Sequence, residues 1–180
     1  PDKTLQDKYR DGIFVTLRLK SSMYHRFHAP QKCSVHRVTY ISGDTWNVNP
    51  VALRRIEKLY CKNERAVLEL DNGDPDSGIC LVAVAAILVA SIKLHCLQGT
   101  LDMNYRGPAN LACSANYDKG EEMGYFQHGS TIIVFGTSGH RLCENIRSGS
   151  QIRMGEALLT KQKSHHTIPH QLMQSKETDI

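Results

Sequence analysis

The chain reads as an α+β domain that is mostly β, with a few short helices. Three observations predict this. Segments rich in β-branched residues, several alternating apolar with polar, recur between turn signals along most of the chain. Only one stretch, residues 50–60, spaces its apolar residues for a helix. The longest apolar run, residues 79–92, is about fourteen residues rich in valine, isoleucine and alanine. That suits buried strands and is too short to cross a bilayer as a helix.

Taken in order, Asp11-Gly12 is a turn that opens a strand over residues 12–19, and residues 34–41 form a second strand ending at the Ser42-Gly43-Asp44 turn. Asn47 and Asn49, on either side of Val48, read as Asx turns leading into the helix. Along residues 50–60 one face gathers Val51, Leu53, Ile56, Leu59 and Tyr60, with Arg54, Arg55 and Lys58 beside it. Such a basic amphipathic helix either packs on a sheet or touches lipid, and packing is the commoner outcome. Residues 65–70 alternate as a strand, and the Asp/Asn/Gly/Pro cluster of residues 71–78 is a turn into the apolar run. A Gly-Glu turn stands beside a strand-like segment twice, at Gly120-Glu121 and Gly155-Glu156. This echo predicts a barrel-sandwich-hybrid-like β domain built from two interleaved units. Carrier chemistry on that topology is excluded, because Lys119 lacks the setting of a modified hairpin lysine. The domain covers residues 1–162, and residues 163–180 read as a polar, mobile tail.

Composition narrows the partners. A formal charge of +4 favours an anionic surface mildly, and no run of basic and aromatic residues suggests nucleic acid. The six cysteines are widely spaced with no Cys-x-x-Cys pair, so they read as reduced thiols of a cytosolic compartment. His95 and Cys96 lack close-paired metal ligands, and no metal is expected.

Two patches carry chemistry. In Gln127-His128-Gly129-Ser130-Thr131 a Gly-Ser bond lies between strand-like segments. The Ser130 hydroxyl can attack the Gly129 carbonyl and convert the amide to an ester. Elimination and hydrolysis then leave a pyruvoyl group at position 130. A plain Gly-Ser bulge between strands is the ordinary alternative. The second patch, residues 21–30, contains His25 and His28 three apart and ends at Pro30. For each histidine a hydrogen-bonded structural role beside Tyr24 and Phe27 is the competing reading. For His128 the structural role comes first.

Together these patches resemble the phosphatidylserine decarboxylase family of self-processing pyruvoyl enzymes. Its histidine patch reads Asp-Tyr-His-x-x-His-x-Pro, with Met23 here in place of the acid, and His128 departs from its usual cleavage motif. Further matches at residues 42–49, 62–65 and 120–126 extend the resemblance over about residues 9–159. It implies cleavage at Gly129-Ser130, a pyruvoyl cofactor derived from Ser130, His28 as the base for Ser130, and His25 as the residue serving decarboxylation. It also implies decarboxylation of phosphatidylserine to phosphatidylethanolamine on an anionic membrane surface. The protein would be peripheral, facing the cytoplasm as in bacteria, with room for a homodimer. In the family an aspartate upstream of the matched region completes the triad with the histidine, so His28 is expected to lack an acid partner here. Without one it would lose control of its tautomer. A soluble amino-acid decarboxylase on the same scaffold and a non-cleaving lipid-binding homologue remain the alternatives.

Overall fold

Strand β5 (Ile79–Ala85) is buried along its whole length, and the rest of the fold follows from covering both its faces. The computed structural model describes residues 3–86, 91–127 and 130–162. The first helix is α1 (Lys3–Tyr9), followed by strands β1 (Ile13–Leu19), β2 (Arg26–His28) and β3 (Cys33–Ile41). Helices α2 (Pro50–Arg55) and α3 (Leu59–Lys62) precede β4 (Arg65–Leu70), and a 3₁₀ turn (Pro75–Ser77) leads into β5. Then come β6 (Ser91–Leu94), β7 (Leu101–Asp102), β8 (Asn110–Tyr117), β9 (Glu122–Phe126), β10 (Ser130–Gly136), β11 (His140–Leu142) and β12 (Leu159–Lys161).

The strands form open antiparallel sheets, and the prediction of a mostly β domain with short helices holds. A six-stranded sheet runs β1-β10-β5-β4-β3-β8, a four-stranded sheet β2-β9-β6-β7, and β11 pairs with β12. Alternation along β5 sends Leu81, Ala83 and Ala85 into the main core, which Phe27, Met123 and Phe126 of the four-stranded sheet share. Cys80, Val82 and Val84 point the other way, to a smaller cluster with Tyr9, Tyr60, Ile133 and Phe135 packed around it. Burial on both faces explains why β5 shows no polar alternation in sequence. The apolar run of residues 79–92 therefore divides between two sheets, as β5 and the start of β6; residues 87–90 lie outside the described residues, as does the predicted tail of residues 163–180.

The helix expected over residues 50–60 is broken in two. Asn49 caps α2, its side-chain oxygen accepting from the Ala52 N–H at 2.8 Å, and Pro50 occupies the first turn. The chain turns extended at Ile56, and Lys58 adopts a left-handed conformation at φ 53 before α3 begins. Leu59 enters a small core with Val48 and Ala86, against which Leu53 of α2 and Ile56 at its C-cap also pack. The loop before α2 is stitched to the chain after α3, since Asp44 N–H donates to the Lys62 carbonyl at 2.9 Å and Glu64 N–H to the Asp44 carbonyl at 2.8 Å. Gly43 is required there, because a Cβ would meet the Lys62 carbonyl oxygen at 2.2 Å.

One buried acid sets a pH dependence. Glu64 is 1 % exposed, accepts from the Tyr40 hydroxyl, and has its second carboxyl oxygen unpartnered. Burial raises its pKa, the Tyr40 hydrogen bond opposes that, and Asp102 adds to the rise. The protonated form fits the network, because it can donate to the Tyr40 oxygen while Tyr40 donates to the Asp102 carbonyl, 3.0 Å away. A folded-state pKa above the unfolded value gives stability that is complete below the unfolded carboxylate range, about 4.3, and declines as pH rises through the folded value. Glu64→Gln, which stays neutral, should therefore gain in melting temperature on the parent between pH 5 and pH 8. A difference that does not change with pH would show that Glu64 titrates normally.

Candidate active site

Ser130 is the first residue of β10, an interior strand one in from the β1 edge of the six-stranded sheet, with Leu19 of β1 and Ala85 of β5 as its Cα partners. Ala85, Ile132 and Val134 belong to the main core, so strand alternation turns Ser130 toward the space between the two large sheets. The residue is fully buried, and its hydroxyl has no hydrogen-bond partner among the described residues. A buried hydroxyl without a partner is costly, and Ser130 shares that state with Tyr9, Ser91 and Thr131. His128 and Gly129, the other residues of the predicted cleavage motif, lie outside the described residues.

The fold pairs the histidine patch with β9, the strand that precedes Ser130 in the chain. Strand β2 pairs antiparallel with β9, aligning Arg26 with Tyr125 and Phe27 with Gly124, and the Phe126 N–H donates to the His25 carbonyl at 2.9 Å. His25 thus lies across from Phe126, which precedes Ser130 by four residues. Phe27 is in the core, so alternation places His25 on the same inward side. Its Nδ1 lies 2.7 Å from the Met23 carbonyl, which can only accept, so Nδ1 carries the proton. Nε2 is left with a free lone pair, buried and unpartnered.

His28 is held differently. A bulge between Phe27 and His28 turns it out of register, and its ring stacks on Tyr24 at 5.8 Å between centroids. Nδ1 donates to the Gly120 carbonyl at 2.8 Å, and Nε2 accepts from the Tyr24 hydroxyl at 2.7 Å. The expectation that His28 would lose tautomer control without an acid is thereby corrected. The Gly120 carbonyl fixes the tautomer, and Gly120 presents it from a turn at φ +86 that glycine adopts readily. Glu122, the register partner of His28, directs its carboxylate to Arg26 at 2.6 Å and His95 at 2.8 Å. His95 first, and Arg26 with it, hold that carboxyl below the usual range. No hydrogen bond joins either His25 or His28 to the Ser130 hydroxyl.

Residues that sequence reasoning left without a role complete the surroundings. Asn63 is fully buried and donates through Nδ2 to the carbonyls of Trp46 (2.7 Å) and Ala85 (2.9 Å), while its Oδ1 accepts from the Trp46 N–H at 3.0 Å. It ties the loop before α2 to the residue beside Ser130. On the opposite face of the sheet, Tyr60 is raised in pKa by burial, against the Thr131 hydroxyl and Arg18, which favour its ionised form. The sequence signal for Asn63 and Glu64 was a polar pair set directly before an alternating strand. Tyr24 was visible only as part of the histidine motif. The Asx turns held, with Asn49 N–H donating to the Asn47 side chain at 2.8 Å.

The described residues include a buried serine hydroxyl, two imidazoles whose basic nitrogen is Nε2, and the polar pair Asn63 and Glu64 just ahead of β4. They fit acyl attack from Ser130, and the unpartnered hydroxyl fits a serine consumed to make a prosthetic group. The family model described as phosphatidylserine decarboxylase matches residues 1–160. The phosphatidylserine decarboxylase proenzyme of Vibrio cholerae is 34 % identical over 162 residues, covering 86 % of this chain and 56 % of that protein. The Brevibacillus brevis proenzyme is 30 % identical over 157 residues, with 86 % and 56 % covered. That of Campylobacter jejuni is 33 % identical over 162 residues, with 87 % and 59 % covered. The chain spans somewhat more than half the length of these curated relatives.

Proposed function

The chain belongs to the phosphatidylserine decarboxylase family, and on that premise we propose that it forms the catalytic part of a carboxy-lyase whose reacting group is made from Ser130. The single observation that carries this reading is the Ser130 hydroxyl, fully buried at the start of an interior strand and without a hydrogen-bond partner among the described residues. Ser130 attacks the Gly129 carbonyl, the peptide nitrogen leaves as the ester forms, and elimination frees Gly129 as a carboxylate. The dehydroalanine left at position 130 then hydrolyses, releasing ammonia and leaving the pyruvoyl group. That group supplies the electron sink for loss of carbon dioxide from an amino-acid headgroup.

The chain's own residues do the rest. A serine needs a base oriented by a third group, and His28 is proposed for that role, with Gly120 keeping Nδ1 protonated and Nε2 basic. To act, His28 Nε2 must exchange the Tyr24 hydroxyl for that of Ser130. His25 is proposed to return the proton to the substrate carbon from its inward-facing Nε2. A second reading exchanges these roles, and the unpartnered Nε2 of His25 favours it. The substrate is proposed to be phosphatidylserine, with phosphatidylethanolamine as product, taken from a membrane surface facing the cytoplasm. Among the described residues no helix is long and apolar enough to cross a membrane.

The test is intact mass together with substrate choice. Protein expressed from its own gene should separate under denaturing conditions into two pieces, the second blocked at its N-terminus and reactive toward hydrazines. It should release carbon dioxide from phosphatidylserine at least tenfold faster than from free serine or aromatic amino acids. Preference for a free amino acid would favour the soluble decarboxylase, and one uncut inactive chain would favour the lipid-binding homologue.

A further inference from the structure

We infer that residues 46–62 form the surface on which the protein seats against an anionic phospholipid bilayer, with the Ser130 end of β10 turned toward the lipid. The inference rests on the proposed lipid substrate and adds where the membrane lies. Trp46 is the chain's single tryptophan and is 48 % exposed, and Val51 beside it on α2 is 47 % exposed. The Trp46 indole N–H donates to Asp44 at 2.9 Å. Its one polar atom is therefore satisfied and its carbon face is left outward, a condition suited to the headgroup boundary. Around it Arg54, Arg55, Lys58 and Lys62 are all exposed, against two acids: Asp44, which holds the indole N–H, and Glu57, which lies 3.8 Å from Lys58. Arg18 of β1 extends the basic surface, since it acts electrostatically on Tyr60 of α3.

The position of this surface is as informative as its composition. Asn63 grips Trp46 at both its N–H and its carbonyl and holds the carbonyl of Ala85, the Cα partner of Ser130. The loop is thereby tied to the end of the sheet where Ser130 lies. Of the other large exposed aromatics, Tyr24 (51 %) stacks on His28, and Phe14 (66 %) belongs to the far end. There β1 pairs with Phe135, and the nearby α1 turn mixes Asp7 and Asp11 with Lys8 and Arg10. A bilayer fits the basic end better than a protein partner does, because its exposed cations sit on long side chains around one aromatic ring. Each contributes about 1 kcal/mol near an anionic leaflet.

The test uses phosphatidylglycerol vesicles, which are anionic but are not substrate. Trp46 emission should shift to the blue on adding them, and brominated acyl chains should quench it. Pure phosphatidylcholine should produce neither effect, and added salt should reverse both. Arg54→Ala/Arg55→Ala should weaken vesicle binding roughly thirtyfold. Phe14→Ser should leave binding unchanged, with circular dichroism checking that each variant is folded. Vesicle binding without a Trp46 response, or no binding at all, would overturn the inference. So would a blue shift that follows protein concentration without lipid, because a second copy would then cover the surface. Processing at Ser130 is read separately by intact mass, so docking can fail while the proposed chemistry stands, and the reverse.

Discussion

Ser130→Ala should remain one polypeptide and release no carbon dioxide from phosphatidylserine. Alanine has no oxygen to attack the Gly129 carbonyl, so neither the ester nor the pyruvoyl group can form, and both losses are complete. The same substitution should leave the fold intact. The Ser130 hydroxyl is buried without a partner among the described residues, and removing such a group costs little or gains about 1 kcal/mol. A melting temperature equal to or above that of uncut parent protein, with cleavage abolished, separates loss of chemistry from loss of structure. Two pieces in the alanine variant would end the proposed cleavage mechanism.

The histidine variants should differ in kind. His28→Ala removes the proposed base, and cleavage should slow by about 10²–10⁴-fold, the usual contribution of a positioned general base. His25→Ala should cleave more nearly as the parent does, while the processed enzyme loses decarboxylation by a comparable factor. Gel densitometry over time reads the first effect and carbon dioxide release by pre-cleaved protein the second. Tyr24→Phe makes the comparison sharper. It frees His28 Nε2 from the hydroxyl 2.7 Å away and should speed cleavage if His28 is the base. If His25→Ala stops cleavage and Tyr24→Phe changes nothing, the two roles are exchanged.

Much of this was legible in the chain because strand periodicity is local. The alternating segments before the Ser42 turn and after Asn63 became β3 and β4, and the unbroken apolar run became a strand covered on both faces. The two reactive patches were also legible, as short motifs. The partners that fix their chemistry were not. His28 owes its tautomer to Gly120, 92 residues away, through a pairing of β2 with β9 that no local pattern announces. The orphaned state of the Ser130 hydroxyl depends on what packs against it. The helix over residues 50–60 was misjudged because it breaks at an extended Ile56 and a left-handed Lys58, an uncommon choice for lysine that the apolar spacing does not signal.

The interior place of β10 also governs what a broken chain would be. Every residue from Ser130 to Gly136 has a Cα partner in β1 on one side and in β5 on the other. A cut just ahead of Ser130 would therefore leave the new end inside a sheet whose flanking strands both belong to the other piece. Parting the two pieces would mean drawing an interior strand from a closed hand of neighbours and exposing the core beneath it. A chain cut there would persist as two pieces inseparable short of unfolding.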